Sequence, residues 1–197
     1  MRKPVLLTLV ALLLLSGAAT SRERGSDSDG DDGCNCHGVR SELEISLDGL
    51  PESFESSQSY ELSIKLVNPK SSTAGFRLIF NGGDISTSET DFTQELDDGW
   101  THTLAGNSRA VWNLTWVSPE DNSSLSTFIL HVNSANGNGE YTGDDWDSRS
   151  FAVPGVAYEG EVKAPVLSDG EMSVVEWIIA GLALFVLGGV LWYSIRD

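Results

Sequence analysis

The chain has 197 residues, a hydrophobic content of 40% and a formal net charge of −17. A surface this acidic repels nucleic acids and anionic membrane surfaces, which excludes the proteins that bind polyanions. It suits solubility in a salty medium, or the attraction of cations and basic partners. The roughly 150 residues between the two apolar ends are enough for one domain with its own core.

The N-terminus has the three parts of a secretory signal peptide. Arg2 and Lys3 precede an apolar run from Val5 to Leu15, and small residues follow at Gly17 to Ala19. The apolar run is too short to span a bilayer comfortably. We therefore predict a cleaved signal peptide over residues 1–20 and export of the rest of the chain.

An apolar segment near the C-terminus predicts a membrane anchor. Trp177 to Ile195 contains no charged side chain, and a helix of that length spans roughly 28 Å, close to the hydrocarbon core of a bilayer. Trp177, Trp192 and Tyr193 lie at its two ends, where aromatic rings prefer the headgroup layer. We predict a transmembrane helix over residues 174–195 and a cytoplasmic tail at 196–197. The alternative is a C-terminal signal that is removed when a lipid anchor is attached.

The segment between the two ends begins with polar residues and then alternates like β-structure. Residues 21–33 contain no apolar side chain, which predicts a disordered acidic leader or a loop. Strands are then predicted over residues 41–48, 60–67 and 75–80, because apolar and polar side chains alternate there. Residues 81–99 are rich in Gly, Asp, Ser and Thr and are predicted as a long loop.

The tryptophan-rich stretch after this loop predicts the central strand of the core. From residue 109, Trp112, Leu114 and Trp116 lie on one face of an alternating run. Further strands are predicted over residues 126–132 and 151–153, and residues 156–173 are predicted as a stalk. Several short strands with frequent turns indicate an all-β fold, an antiparallel β-sandwich over residues 34–155.

The two cysteines lie in the sequence Cys34-Asn35-Cys36-His37. Cysteines separated by one residue close only a small, strained disulfide ring, which would be readily reduced. Two thiols and an imidazole are also a partial site for a transition metal. The spacing is one residue shorter than C-x-x-C-H, the attachment motif of covalent haem. The disulfide, the metal site and the less favoured haem all stay open at this point.

The order of landmarks resembles the reeler-like, or choice-of-anchor V, domains of exported and surface-anchored proteins. The matching residues are the Cys34 to His37 motif, Gly75-Phe76, His102-Thr103, Trp112, Trp116, Pro119, Phe128, Asn136 to Gly139 and Gly143-Asp144. The resemblance implies an immunoglobulin-like sandwich without an established catalytic activity. Relatives carry C-x-x-C-H where this chain has C-x-C-H. The motif positions give a candidate metal set of Cys34, Cys36, His37, His102 and Asp144, with His131 close to it in sequence.

The sequence contains no motif of a hydrolase, a nucleotide-binding loop or a zinc protease, so no catalytic residues are predicted. Asn113 and Asn122 begin glycosylation sequons. We therefore expect a single-pass membrane protein whose extracellular β-sandwich binds a protein, a glycan or a cation without catalysis. The alternative is a membrane-tethered metal or haem protein centred on Cys34, Cys36 and His37.

Overall fold

The computed structural model describes residues 23–34, 40–69, 71–138, 142–167 and 174–196. The chain divides into two units, one formed by residues 21–170 and the other by residues 1–20 with 171–197. The described strands all lie in the first unit. The predicted signal peptide, residues 1–20, lies outside the described residues.

Nine described strands form two sheets with antiparallel pairing inside each sheet. The strands are β1 (Ile45–Asp48), β2 (Ser59–Leu66), β3 (Thr73–Asn81), β4 (Asp84–Ser86), β5 (Thr93–Leu96), β6 (Gly99–His102), β7 (Val111–Val117), β8 (Leu125–Ala135) and β9 (Asp145–Pro154). One sheet has the order β1-β2-β7-β4 and the other β5-β6-β3-β8-β9. The predicted all-β sandwich is confirmed at this level.

The core lies between the two sheets and is rich in aromatic rings. Trp116 is fully buried, and its ring centroid lies 5.2 Å from that of Phe128 on the opposite sheet. The rings of Trp112 and Phe76 also pack across the core, with centroids 5.0 Å apart and planes tilted by 49°. The prediction that the tryptophan strand is central is therefore confirmed, since β7 lies between β2 and β4 and turns both indoles into the core.

The prediction of a long loop over residues 81–99 is wrong. The segment contains β4 and β5, and β6 begins at its last residue, Gly99. β5 and β6 form a hairpin whose turn places Asp97 and Asp98 in the left-handed region, with φ of 43° and 59°. These short strands are mostly polar and are held by backbone pairing, so they lack the alternation that marks a strand in the sequence. β8 and β9 are also longer than predicted.

The acidic leader, predicted over residues 21–33 as a disordered segment or a loop, is ordered in part. Residues 28–30 form one turn of 3-10 helix, and the Asp27 side chain caps it by accepting a hydrogen bond from the Asp29 amide. The leader's order comes from polar contacts with the sandwich, which sequence composition does not reveal.

The helix α1 (Val174–Arg196) has 23 residues. Its described side chains are largely apolar and exposed, including Trp177, Leu184, Phe185 and Trp192. The side chains of Glu176, Val190, Leu191 and residues 193–196 are not described. Over the part of the chain that the structure describes, no helix is both long and apolar enough to cross a membrane.

Candidate functional site

The Cys/His motif is only partly described. Cys34 is half-buried at the end of the leader, whereas Cys36 and His37 lie outside the described residues. Among the described residues, no three His, Cys, Asp or Glu side chains are grouped so that they could hold a metal ion. The disulfide, metal and haem hypotheses therefore stay predictions from the sequence.

His102 takes part in the sheet through its side chain. Its Nδ1 accepts a hydrogen bond from the backbone amide of Phe76 at 3.2 Å, so Nδ1 is unprotonated in that bond. The ring packs directly against Gly75, where any Cβ atom would overlap the imidazole. The glycine of the Gly75-Phe76 motif is thus explained, because only a residue without a Cβ atom leaves room for the His102 ring.

Asp144, the third described member of the predicted metal set beside Cys34 and His102, closes a loop. Its Oδ1 accepts a hydrogen bond from the backbone amide of Asn136 at 2.8 Å. The Asn136 side chain in turn donates to the carbonyl of Thr142 at 2.7 Å. This placement assigns Asp144 a role in joining the ends of β8 and β9.

A row of polar side chains crosses the five-stranded sheet, one from each strand. Strand register pairs Gln94 with Thr101, Thr101 with Arg77, Arg77 with His131, and His131 with Ser148. Arg77, Thr101, His131 and Ser148 are buried, with exposures of 1%, 0%, 3% and 1%. Sequence reasoning missed this polar row, because a polar residue between apolar ones in a strand predicts a solvent-facing position.

The leader covers the polar row and runs across the strands. The Gln94 side chain donates to the carbonyl of Arg24, and the Ser26 amide donates to Thr101 Oγ1 at 3.0 Å. Farther along the leader, Asp31 reaches Arg77 and His131. The leader therefore crosses the sheet between residues 24 and 31, from β5 and β6 to β3 and β8.

Arg77 carries the charge at the centre of the polar row. Its Nε donates to Asp31 Oδ1 at 2.8 Å, and Nη1 and Nη2 donate to the carbonyls of Leu96 and Asp97 at 2.6 and 3.0 Å. The guanidinium therefore ties the leader and the β5–β6 turn to the middle of the sheet. A Cβ atom at Gly99 would overlap the guanidinium, so glycine provides the room for this buried cation.

His131 links the leader to β9. Its Nδ1 lies 2.5 Å from Ser148 Oγ, and its Nε2 lies 3.0 Å from the carbonyl oxygen of Asp31. A neutral ring satisfies both contacts by accepting the Ser148 hydroxyl at Nδ1 and donating from Nε2. Burial lowers the pKa of His131 below 6.5, although the Asp31 carbonyl and carboxylate oppose that shift, while Arg40 and Arg77 add to it.

The His131–Ser148 contact pairs a hydroxyl with an imidazole, the combination that activates a serine nucleophile in hydrolases. Here both side chains are buried beneath the leader. The other ring nitrogen of His131, Nε2, contacts a main-chain carbonyl oxygen of the leader, that of Asp31. The arrangement is suited to holding an extended backbone segment in place.

A second charged cluster lies at the edge of the same sheet. The carboxylate of Asp147, 2% exposed, accepts from Arg40 Nε at 2.8 Å and forms an ion pair with Arg149 Nη1 at 2.7 Å. Arg40 also donates to the carbonyl of Ser148 at 2.8 Å. These bonds fix the segment that follows the Cys/His motif onto β9.

The two glycosylation candidates lie in different settings. Asn113 is exposed on β7, and its amide donates to Glu89 Oε1 at 3.1 Å. Asn122 is half-buried in the turn before β8. Attachment of a glycan at either residue stays a prediction.

The structure is similar to solved reeler domains. A human F-spondin reeler domain is 16% identical, with a TM-score of 0.41, over 50% of this chain and 78% of that one. A second, the Reelin-N domain of F-spondin, is 18% identical with a TM-score of 0.40, over 50% of this chain and 76% of that one. A further human F-spondin reeler fragment is 17% identical with a TM-score of 0.37, over 58% of this chain and 96% of that one. No family model matches the chain, and no curated protein sequence matches it.

Proposed function

We propose that this protein is a membrane-anchored, extracytoplasmic β-sandwich that binds a partner at the cell surface without catalysing a reaction. The signal peptide predicted over residues 1–20 supports export, and α1 supports the anchor. The polar row supports binding, because its groups engage a chain segment through hydrogen bonds.

The observation that carries the anchor is the exposure of large apolar side chains along α1. Leu184 is 70% exposed, Phe185 80%, Trp177 65% and Trp192 71%. A helix that is apolar on all sides needs an apolar environment, which a bilayer provides. The 23 residues of α1 extend roughly 35 Å at the usual helical rise, enough for a hydrocarbon core of about 30 Å. The described side chains by themselves do not make α1 long and apolar enough to cross a membrane. The proposal therefore also counts the apolar residues of the sequence at positions 190, 191, 193 and 195, whose side chains are not described.

The anchor is tested by producing the full chain in an exporting host and washing its membranes with alkaline carbonate. We expect the protein to stay in the membrane pellet and its sandwich to be open to protease from outside. The double variant Leu184→Arg, Phe185→Arg should move to the soluble fraction, because each charge near a helix centre costs about 2.5–3.5 kcal/mol of insertion free energy.

The control is Val166→Arg, which places one arginine on an 84% exposed residue before α1. This variant should fractionate as the unchanged protein does. Release of the unchanged protein by carbonate would overturn the anchor. Metal analysis and a visible spectrum of the same preparation would reveal the alternative metal or haem protein.

A further inference from the structure

We propose that the polar row forms a peptide-binding groove, which the leader fills as a tethered ligand, and that the partner of this surface is an extended acidic peptide. We name this surface the leader groove, and its lining residues are Gln94, Thr101, Arg77, His131 and Ser148. The inference rests on the proposed binding function and identifies where that binding takes place.

The leader groove recognises main-chain atoms, which is what a binding site for an extended peptide requires. Gln94 donates to a leader carbonyl, and Thr101 Oγ1 accepts from a leader amide. His131 Nε2 lies at hydrogen-bond distance from another leader carbonyl, and Arg77 Nη1 makes a longer contact of 3.4 Å with the carbonyl of Ser26. Contacts of this kind are available to any chain that adopts the same path.

Three leader positions set the sequence that fits. Asp31 supplies the carboxylate that meets the buried Arg77 guanidinium at 2.8 Å. Gly25 has a φ of +100°, and a Cβ there would overlap Thr101 and the carbonyl of His102. Gly30 is buried, and a Cβ there would overlap Oγ of Ser26, so the leader's own turn requires glycine at this position. The groove therefore selects an acidic residue with a glycine six positions before it, and the turn of the bound segment requires a second glycine directly before the acid.

The leader is suited to reversible release. Residues 23–33 contain no apolar side chain, so their docking gains little from the hydrophobic effect. Their hydrogen bonds can be exchanged for bonds to water at a small net cost. The leader also carries acidic residues on a chain of net charge −17, so repulsion opposes its docking. An acidic segment of another chain meets the same repulsion, and it can compete for the groove because it offers the same kind of carboxylate to Arg77.

The test measures the binding of a dye-labelled peptide of residues 23–33 to the full chain in detergent, by fluorescence anisotropy. The unchanged chain should bind weakly, because its own leader fills the groove. Asp31→Ala in the chain weakens the tethered leader, and the peptide should then bind about 10-fold more tightly, as expected for the loss of one charged hydrogen bond. A peptide that itself carries Asp31→Ala should bind the leader-weakened chain about 10-fold more weakly than the unchanged peptide does.

Asp32→Ala is the matched control, since it removes the same charge from the neighbouring, exposed leader residue. This chain should bind the peptide as weakly as the unchanged one. If Asp31→Ala prevents folding, Gly25→Ala replaces it, because a Cβ there would overlap Thr101 and the carbonyl of His102 and so displace the leader while both charged residues, Asp31 and Arg77, are kept in the chain.

Any of three results would overturn the inference. The peptide could bind all chains equally, it could fail to bind the leader-weakened chain, or the Asp31→Ala peptide could bind as tightly as the unchanged peptide. Those results would leave membrane retention unaffected, so failure of the groove and failure of the proposed anchor are distinguishable.

Discussion

The Asp31–Arg77 ion pair gives a quantitative test of how the leader is held. Asp31→Ala removes the carboxylate that accepts from Arg77 Nε at 2.8 Å. A charged hydrogen bond contributes about 1.5–3 kcal/mol to stability. Because the Asp31 side chain is 38% exposed, solvent screens the pair, and we expect a loss of about 1–2 kcal/mol. That loss corresponds to a decrease in Tm of about 2–8 °C for a domain of this size.

The assay is urea and thermal unfolding followed by tryptophan fluorescence, carried out as a double-mutant cycle. Arg77→Met should cost more than Asp31→Ala, because it also leaves the carbonyls of Leu96 and Asp97 without their donors. The coupling free energy between the two changes should be about 1–2 kcal/mol. A coupling energy of zero, or a Tm for Asp31→Ala equal to that of Asp32→Ala, would refute the ion pair's role.

Two further changes test the histidines. Gly75→Ala should lower the free energy of unfolding by about 1–3 kcal/mol, because the new methyl group overlaps the His102 ring. When His102 is also replaced by alanine, urea unfolding should show that Gly75→Ala lowers the free energy of unfolding by less. Burial lowers the pKa of His131 in the folded state below 6.5, so as the pH falls the unfolded chain takes up the proton first. The stability that this histidine contributes above pH 6.5 is therefore lost as the pH falls below that value. Urea midpoints at pH 7.5 and 5.5 should therefore differ less for His131→Gln than for the unchanged protein; an equal difference in the two proteins would contradict this assignment.

The strands with alternating side chains were predictable because their pattern has a direct physical cause. In β2 and β7, every second side chain is apolar and turns into the core, as for Leu62, Ile64 and Trp112. Burial of these faces fixes both the period of the sequence and the register of the pair. β4 and β5 were missed because their backbone pairing needs few apolar side chains.

The candidate site could be predicted only at isolated positions. Gly75, His102 and Asp144 were singled out by the family resemblance, and the structure places them in turns and in the sheet. Cys36 and His37 lie outside the described residues, so their chemistry rests on the sequence. Nothing near Arg77 in the sequence indicates its partner, because Asp31 is 46 residues away in the chain.

The sandwich, its aromatic core and the apolar segment near the C-terminus are predictable from the sequence alone, because hydrophobic periodicity and length are local properties. The polar row is visible only in the folded chain, since strand order brings its distant residues together. The position of the acidic leader on that row is likewise a property of the fold. The leader's order comes from hydrogen bonds and one ion pair made across the fold, and such contacts leave no periodic pattern in the chain.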